Sequence, residues 1–76
     1  MDLVVSLVSE CLNELEKRHN VTAGYLADAA YVLSMSKRLP IGTQKKLRVL
    51  TYDIDYGNFA GAKKISAEIL ETMVLI

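Results

Sequence analysis

Cysteine is nearly absent from this 76-residue chain: Cys11 is the only one. A single thiol makes no intramolecular disulfide and no cysteine-based zinc site. Histidine also occurs once, as His19, and tryptophan not at all. One imidazole, with no HxxxH or HxxE spacing, supplies neither a metal-ligand set nor a base with an orienting partner. A surplus of one charge is missing too. Nine Lys plus Arg balance nine Asp plus Glu, and the pI is near 6.5. The basic excess that usually coats nucleic acid is therefore lacking. Long apolar runs are missing as well. Residues 3–8 are interrupted by Ser6 and followed by Glu10, far short of the ~20 residues that cross a bilayer. The Met1-Asp2 start is acidic, so no secretory signal is expected and the reading is cytoplasmic, without membrane contact. Asn20-Val21-Thr22 matches the glycosylation pattern and, with no export expected, is read as chance.

What remains is apolar for its length. Hydrophobic residues make up 51% and charged residues 24%, with a mean hydropathy of +0.22. That balance excludes disorder and allows one domain, spanning 1–76. A domain this small, without disulfide or metal, relies on well-packed helices or on association.

Punctuation falls in three places. Asn20 tolerates the left-handed conformation that ends a helix, and Thr22 is a good N-cap. Pro40 pushes Leu39 out of the helical region, Gly42 bends freely, and Thr43 is expected to cap the next helix. Gly57 stops a helix and Asn58 caps another. Each of the four resulting segments has helical apolar spacing. In the first, Val4, Val8, Cys11, Leu12 and Leu15 share a side, widened by Leu3, Val5 and Leu7. In the second, Leu26, Ala29, Ala30 and Leu33 are expected at the centre, flanked by Tyr25 and Val32. In the third the stripe is Leu47, Leu50 and Ile54. In the fourth it is Ala62, Ile65, Ile69, Met73 and Ile76. Short helices are marginal alone, so the stripes must pack on one another. The expected fold is all-α: a small antiparallel bundle of four short helices in two hairpins.

Charge placement supports the hairpins. Asp2 and the pair Arg18-His19 suit the dipole of the first helix, and Lys37-Arg38 suit that of the second. The third and fourth helices are reversed, with lysines early and acids late. Folding them antiparallel about Gly57 brings Lys45, Lys46 and Arg48 alongside Glu68 and Glu71, and Asp53 and Asp55 near Lys63 and Lys64. Such pairs are worth only about 0–1 kcal/mol each, but they specify which ends meet.

The residues carry little catalytic chemistry. Cys11 lies on the apolar stripe and reads as a small buried hydrophobe. His19 reads as a helix-end residue facing solvent. Glu14 is one turn from Glu10 and also one turn before Arg18, a favourable i,i+4 pair. Asp53 and Asp55 diverge on a helix. The glycines form no phosphate-cradling loop. No enzyme, cofactor, metal or small-molecule substrate is expected.

Two local stretches resemble known families. Residues 21–30, with Leu26-Ala27 followed by Ser34 to Leu39, resemble the start of a helix-turn-helix DNA reader. Tyr31 stands where that family has its turn glycine, and Lys37 where it has an apolar residue, so one continuous helix fits the stretch better. Gly57, Asn58, Phe59 and Ala62 resemble the inter-helix turn of a tetratricopeptide repeat. Lys46, Leu50 and Asp53 depart from that family's pattern, and there is no second repeat. The resemblance implies a helical hairpin.

Apolar residues off the stripes are the best lead to function. Val49, Tyr52 and Tyr56 form a second stripe on the third helix. Tyr31 and Met35 lie one turn apart on the second, and Val74 falls off the main stripe of the fourth. These six are the candidate protein interface, because Tyr and Met are enriched where proteins meet. The expected function is a non-enzymatic interaction or regulatory module, with a protein partner or a second copy on this surface. The alternative is a nucleic-acid binder using Lys37, Arg38, Lys45, Lys46 and Arg48, a basic corner with no acid between residues 37 and 48.

Overall fold

A computed structural model describes residues 2–74. Four helices follow one another: α1 (Leu3–Glu16), α2 (Asn20–Ser36), α3 (Ile41–Asp55) and α4 (Phe59–Val74). Each helix packs on its two neighbours in a closed ring, α1 on α2, α2 on α3, α3 on α4 and α4 on α1. The bundle is antiparallel throughout, as short connections require. It measures 28 × 19 × 17 Å.

The core has a single rule. Val4, Val8, Cys11 and Leu15 are buried on α1, spaced four, three and four residues apart. Ala23, Ala27, Ala30 and Ser34 repeat that spacing on α2. On α3 it is the half-buried Thr43, then Leu47, Leu50 and Ile54, with Thr51 buried beside them. On α4 it is Ala62, Ser66, Ile69 and the half-buried Met73. Four-three-four is the seam spacing of left-handed bundle packing. Each seam begins 19 or 20 residues after the last, so the chain delivers one core residue per helix to each of four layers.

The α2 seam corrects the expected one. The expected centre was Leu26, Ala29, Ala30 and Leu33. Leu26 and Leu33 are half-buried at the flanks, Ala29 is exposed, and small residues point inward. α2 is apolar all round, so periodicity alone does not choose its inner side. The interior does: α1 and α3 fill it with Val and Leu, and only Ala or Ser fits opposite. Ile65 and Met73 of the α4 stripe are likewise half-buried, whereas Ser66 reaches the core. Ile76 lies outside the described residues.

The three turns share one geometry. Arg18, Arg38 and Gly57 have φ of 62°, 54° and 79°. In each turn the next residue's N–H donates back to the carbonyl five residues earlier: His19 to Glu14, Leu39 to Ser34 and Asn58 to Asp53, at 2.8, 3.0 and 2.7 Å. The left-handed residue itself donates three residues back, to Leu15, Met35 and Ile54, each at 3.1 Å. These are Schellman closures, which satisfy the orphan carbonyls of a helix end. Only Gly57 is the residue type expected there.

The starts of the helices differ. Asp2 Oδ1 accepts from the Val4 N–H at 2.8 Å, an N-cap. Asn58 Oδ1 accepts from the Gly61 N–H at 3.2 Å. A Cβ on Gly61 would stand 2.5 Å from Asn58 Nδ2, so the glycine makes room for its own cap. The expected caps Thr22 and Thr43 are overturned. α2 begins two residues before Thr22, after His19, and α3 begins at Ile41 after Pro40, neither with a side-chain cap. The Schellman closure ends one helix so abruptly that the next starts at once. α2 is one unbroken helix, so the turn of a helix-turn-helix is not formed.

The expected ion pairs between α3 and α4 are also absent. Among the described residues the one pair within 4 Å joins Glu14 Oε2 to His19 Nδ1 at 2.7 Å, in place of the expected Glu14–Arg18 pair. Lys45, Arg48 and Asp55 border crevices on the α2 side of α3, away from α4. Asp53 instead accepts from Asn58 Nδ2 at 3.4 Å. The hairpin forms through its apolar seam rather than its charges.

Candidate protein interface

α2 is the element that sets the surface. Asp28 is the one charged residue among its seventeen. A helix apolar on every side is normally covered on every side. Here only the flanks toward α1 and α3 are covered. The uncovered side carries Val21, Tyr25, Asp28 and Val32, spaced four, three and four, the same spacing as the buried seam. Val21 and Tyr25 are each 72% exposed and Val32 is 60% exposed.

α3 continues this surface. Val49, Tyr52 and Tyr56 are all exposed, Tyr56 at 84%. They do not form a second buried side of α3. Arg48, Tyr52 and Tyr56 stand one turn apart and touch in series. Arg48 Nη2 donates to Tyr52 Oη at 3.1 Å, and its guanidinium carbon lies 5.5 Å from the Tyr52 ring centre. The Tyr52 and Tyr56 rings are 6.4 Å apart and tilted by 39°. The Tyr52 hydroxyl holds Arg48 further toward its charged form. The array is an aromatic strip with a cation at one end.

The remaining sequence candidates fall around it. Met35 is exposed near the end of α2. Tyr31 is half-buried and packs on the core. It borders a crevice of about 140 Å³ with Ile41, Gln44, Lys45 and Arg48. Val74 ends α4, and its side chain lies outside the described residues. The five basic candidates do not share one surface. Lys37 and Arg38 are exposed in the α2–α3 turn. Lys45 and Arg48 face the α2 side of α3. Lys46 points about 100° away from Lys45 on the helix and is half-buried.

Two further crevices also border α2. One, of about 340 Å³, lies toward α3 and is lined by Val21, Gly24, Tyr25, Asp28, Ile54 and Asp55, with Asn20 at its rim. The other, of about 540 Å³, lies toward α1, with Leu3, Leu7, Ala29, Val32 and Leu33 as its apolar lining. Val21, Tyr25, Val32 and Ile41 were not among the expected interface residues. Spacing sets Tyr25 and Val32 beside the expected stripe, and their exposure follows from the inward turn of the alanines. The lone charge of α2 was the signal that would have marked them.

The opposite surface is different in kind. α1 and α4 expose Glu10, Glu16, Lys63, Lys64, Glu68 and Glu71. Among the described residues, Leu3 is the one exposed large apolar residue of these two helices. The molecule therefore has an apolar, tyrosine-bearing side and a charged side.

The interior polar groups are few. Cys11 Sγ donates to the Ala23 carbonyl at 3.3 Å. Burial pushes its thiol up to about 11, and the approach of the Ser66 hydroxyl offsets part of that rise. Ser66 Oγ is itself buried without a well-aligned hydrogen-bond partner. A protonated, enclosed thiol is a poor nucleophile. Among the described residues no three His, Cys, Asp or Glu side chains gather to hold a metal ion. No helix among them is long and apolar enough to cross a membrane. No protein-family model, curated protein or solved structure matches the chain.

Proposed function

We propose that this chain is a non-enzymatic protein-interaction module that docks through the outer sides of α2 and α3. One observation carries the reading: α2 has a single charge in seventeen residues, yet one whole side of it meets solvent. Exposed apolar patches rimmed by charge mark contact surfaces on soluble proteins. Tyrosine suits such a surface, because it adds large, rigid contact area with a polar tip. The reducing cytoplasm is the proposed setting, where a lone buried thiol needs no partner.

Capture from a host extract tests this. Tyr52→Lys combined with Val32→Lys is expected to abolish capture. Glu10→Lys combined with Glu68→Lys, on the charged side, is expected to leave it intact. Equal capture by both variants overturns the reading. Salt-dependent binding of labelled DNA or RNA, lost in Lys45→Glu/Lys46→Glu, would favour a nucleic-acid partner instead.

A further inference from the structure

We propose that the partner is a second copy of this chain, docked face to face through α2 and α3 about a two-fold axis. The axis runs perpendicular to the helices. This rests on the interaction reading and adds the identity of the partner.

The charges on the face carry the inference. The crevice toward the α1–α2 turn is bordered by Asp28 and Asp55. The next crevice along the same groove, toward the α2–α3 turn, is bordered by Lys45 and Arg48. Lys37 and Arg38 extend the basic end into the turn. Asp28 stands midway along α2, so the face bears one acid, Asp55, at one end and Lys45, Lys37 and Arg38 at the other, with apolar and aromatic residues between. A two-fold axis perpendicular to the helices lays each acidic end over the other copy's basic end. The face is complementary to itself, which is what an isologous interface demands. Asp55 then approaches Lys45 of the other copy, and the strips from Arg48 to Tyr56 run antiparallel. A parallel arrangement would place like charges together, which costs affinity.

The area is sufficient. From extents of 28 × 19 × 17 Å, one long side carries about a fifth of the 4842 Å² accessible surface. That approaches 1,000 Å², against the ~800 Å² per partner of a standard stable interface.

Sedimentation velocity of the intact chain decides it. Wild type is expected to move from the 8.4 kDa monomer toward twice that mass as concentration rises. Asp55→Lys alone and Lys45→Asp alone should each weaken the dimer about tenfold. The double variant Asp55→Lys/Lys45→Asp should regain it, because the swapped ends still complement each other. Loss of folding would not be repaired by the second charge, so the rescue separates docking from stability. Glu10→Lys/Lys64→Glu should leave sedimentation unchanged. A wild type that stays monomeric at about 1 mM overturns the dimer. If capture from extract still depends on Tyr52 and Val32, the interaction reading survives that result. A dimer that the double variant fails to restore overturns the two-fold arrangement, and one that the Glu10/Lys64 variant breaks overturns the face.

Discussion

Replacing residues in the three equivalent turns should reverse the usual order of alanine and glycine. In a helix interior, Gly is less stable than Ala by about 0.5–1 kcal/mol. At a left-handed position an L side chain is crowded by the following carbonyl, at roughly 1–2 kcal/mol. Arg18, Arg38 and Gly57 occupy that region. Arg18→Ala removes the charge and keeps the crowding. Arg18→Gly removes both, while freeing the unfolded chain by about 0.5–1 kcal/mol. Glycine should therefore exceed alanine by about 0.5–1 kcal/mol at position 18, and equally at 38. Arginine should sit between the two or near glycine, because a cation at a helix C-terminus contributes about 0.3–1 kcal/mol. Neither arginine side chain makes a hydrogen bond or ion pair among the described residues, so nothing else is lost. Gly57→Ala should lose the same ~0.5–1 kcal/mol. Ala67→Gly, at an exposed site within α4, should lose about 1 kcal/mol and supplies the opposite sign. Turns 18 and 38 lie at opposite ends of the bundle, so the two glycine effects should add. Urea unfolding followed by circular dichroism, at one protein concentration, measures all of these. Alanine at 18 or 38 equalling or exceeding glycine would refute the reasoning, because it would mean that the left-handed backbone costs nothing there.

Three further outcomes follow from the interior and the caps. Ser66→Ala should raise stability by about 1 kcal/mol, seen as a higher denaturation midpoint, since it removes a buried hydroxyl without a well-aligned partner. Ser34→Ala should gain less, because that hydroxyl already donates to the Tyr31 carbonyl at 2.6 Å. The Cys11 thiol should resist alkylation at pH 8 until the chain is unfolded. Its folded pKa, about 11, exceeds the ordinary 9.0, so its contribution is complete below pH 9 and is lost as pH rises toward 11. Stability that stays flat over that alkaline window in wild type, relative to Cys11→Ala, would count against a protonated buried thiol. Asn58→Ala should cost about 1 kcal/mol. Gly61→Ala should be near neutral alone, because displacing the Asn58 cap offsets the ~1 kcal/mol helix preference of alanine over glycine, and should stabilise once Asn58→Ala has removed the cap. An equal effect of Gly61→Ala in both backgrounds on thermal melting would show that the two residues act separately.

The four helices were legible because Val4/Val8/Cys11/Leu15 and Leu47/Leu50/Ile54 contrast with polar neighbours. The orientation of α2 was not, because contrast is what periodicity measures and α2 has almost none. Its inner residues were chosen by the volume left between α1 and α3, a property of the assembled ring. The turns were half legible. Gly57 and Asn58 announce their conformations, but Arg18 and Arg38 adopt the same backbone without the residue that signals it. That Tyr52, Tyr56 and Met35 lie off the buried stripes is legible from spacing alone. Val21, Tyr25, Val32 and Ile41 were missed because their exposure depends on which way α2 turns.

The closed ring also has a kinetic consequence. Three of its four contacts join helices that are neighbours along the chain, and only α1 against α4 joins distant ones. Contacts that local should let the chain fold on the fast microsecond-to-millisecond scale of helical bundles. Closing the α1–α4 seam spans about three times the chain length of any other pairing, and loop entropy sets that difference at about 1 kcal/mol. The ring should therefore part first along this seam. The seam lies across the bundle from α2 and α3, so the proposed docking side should keep its shape while the far side breathes.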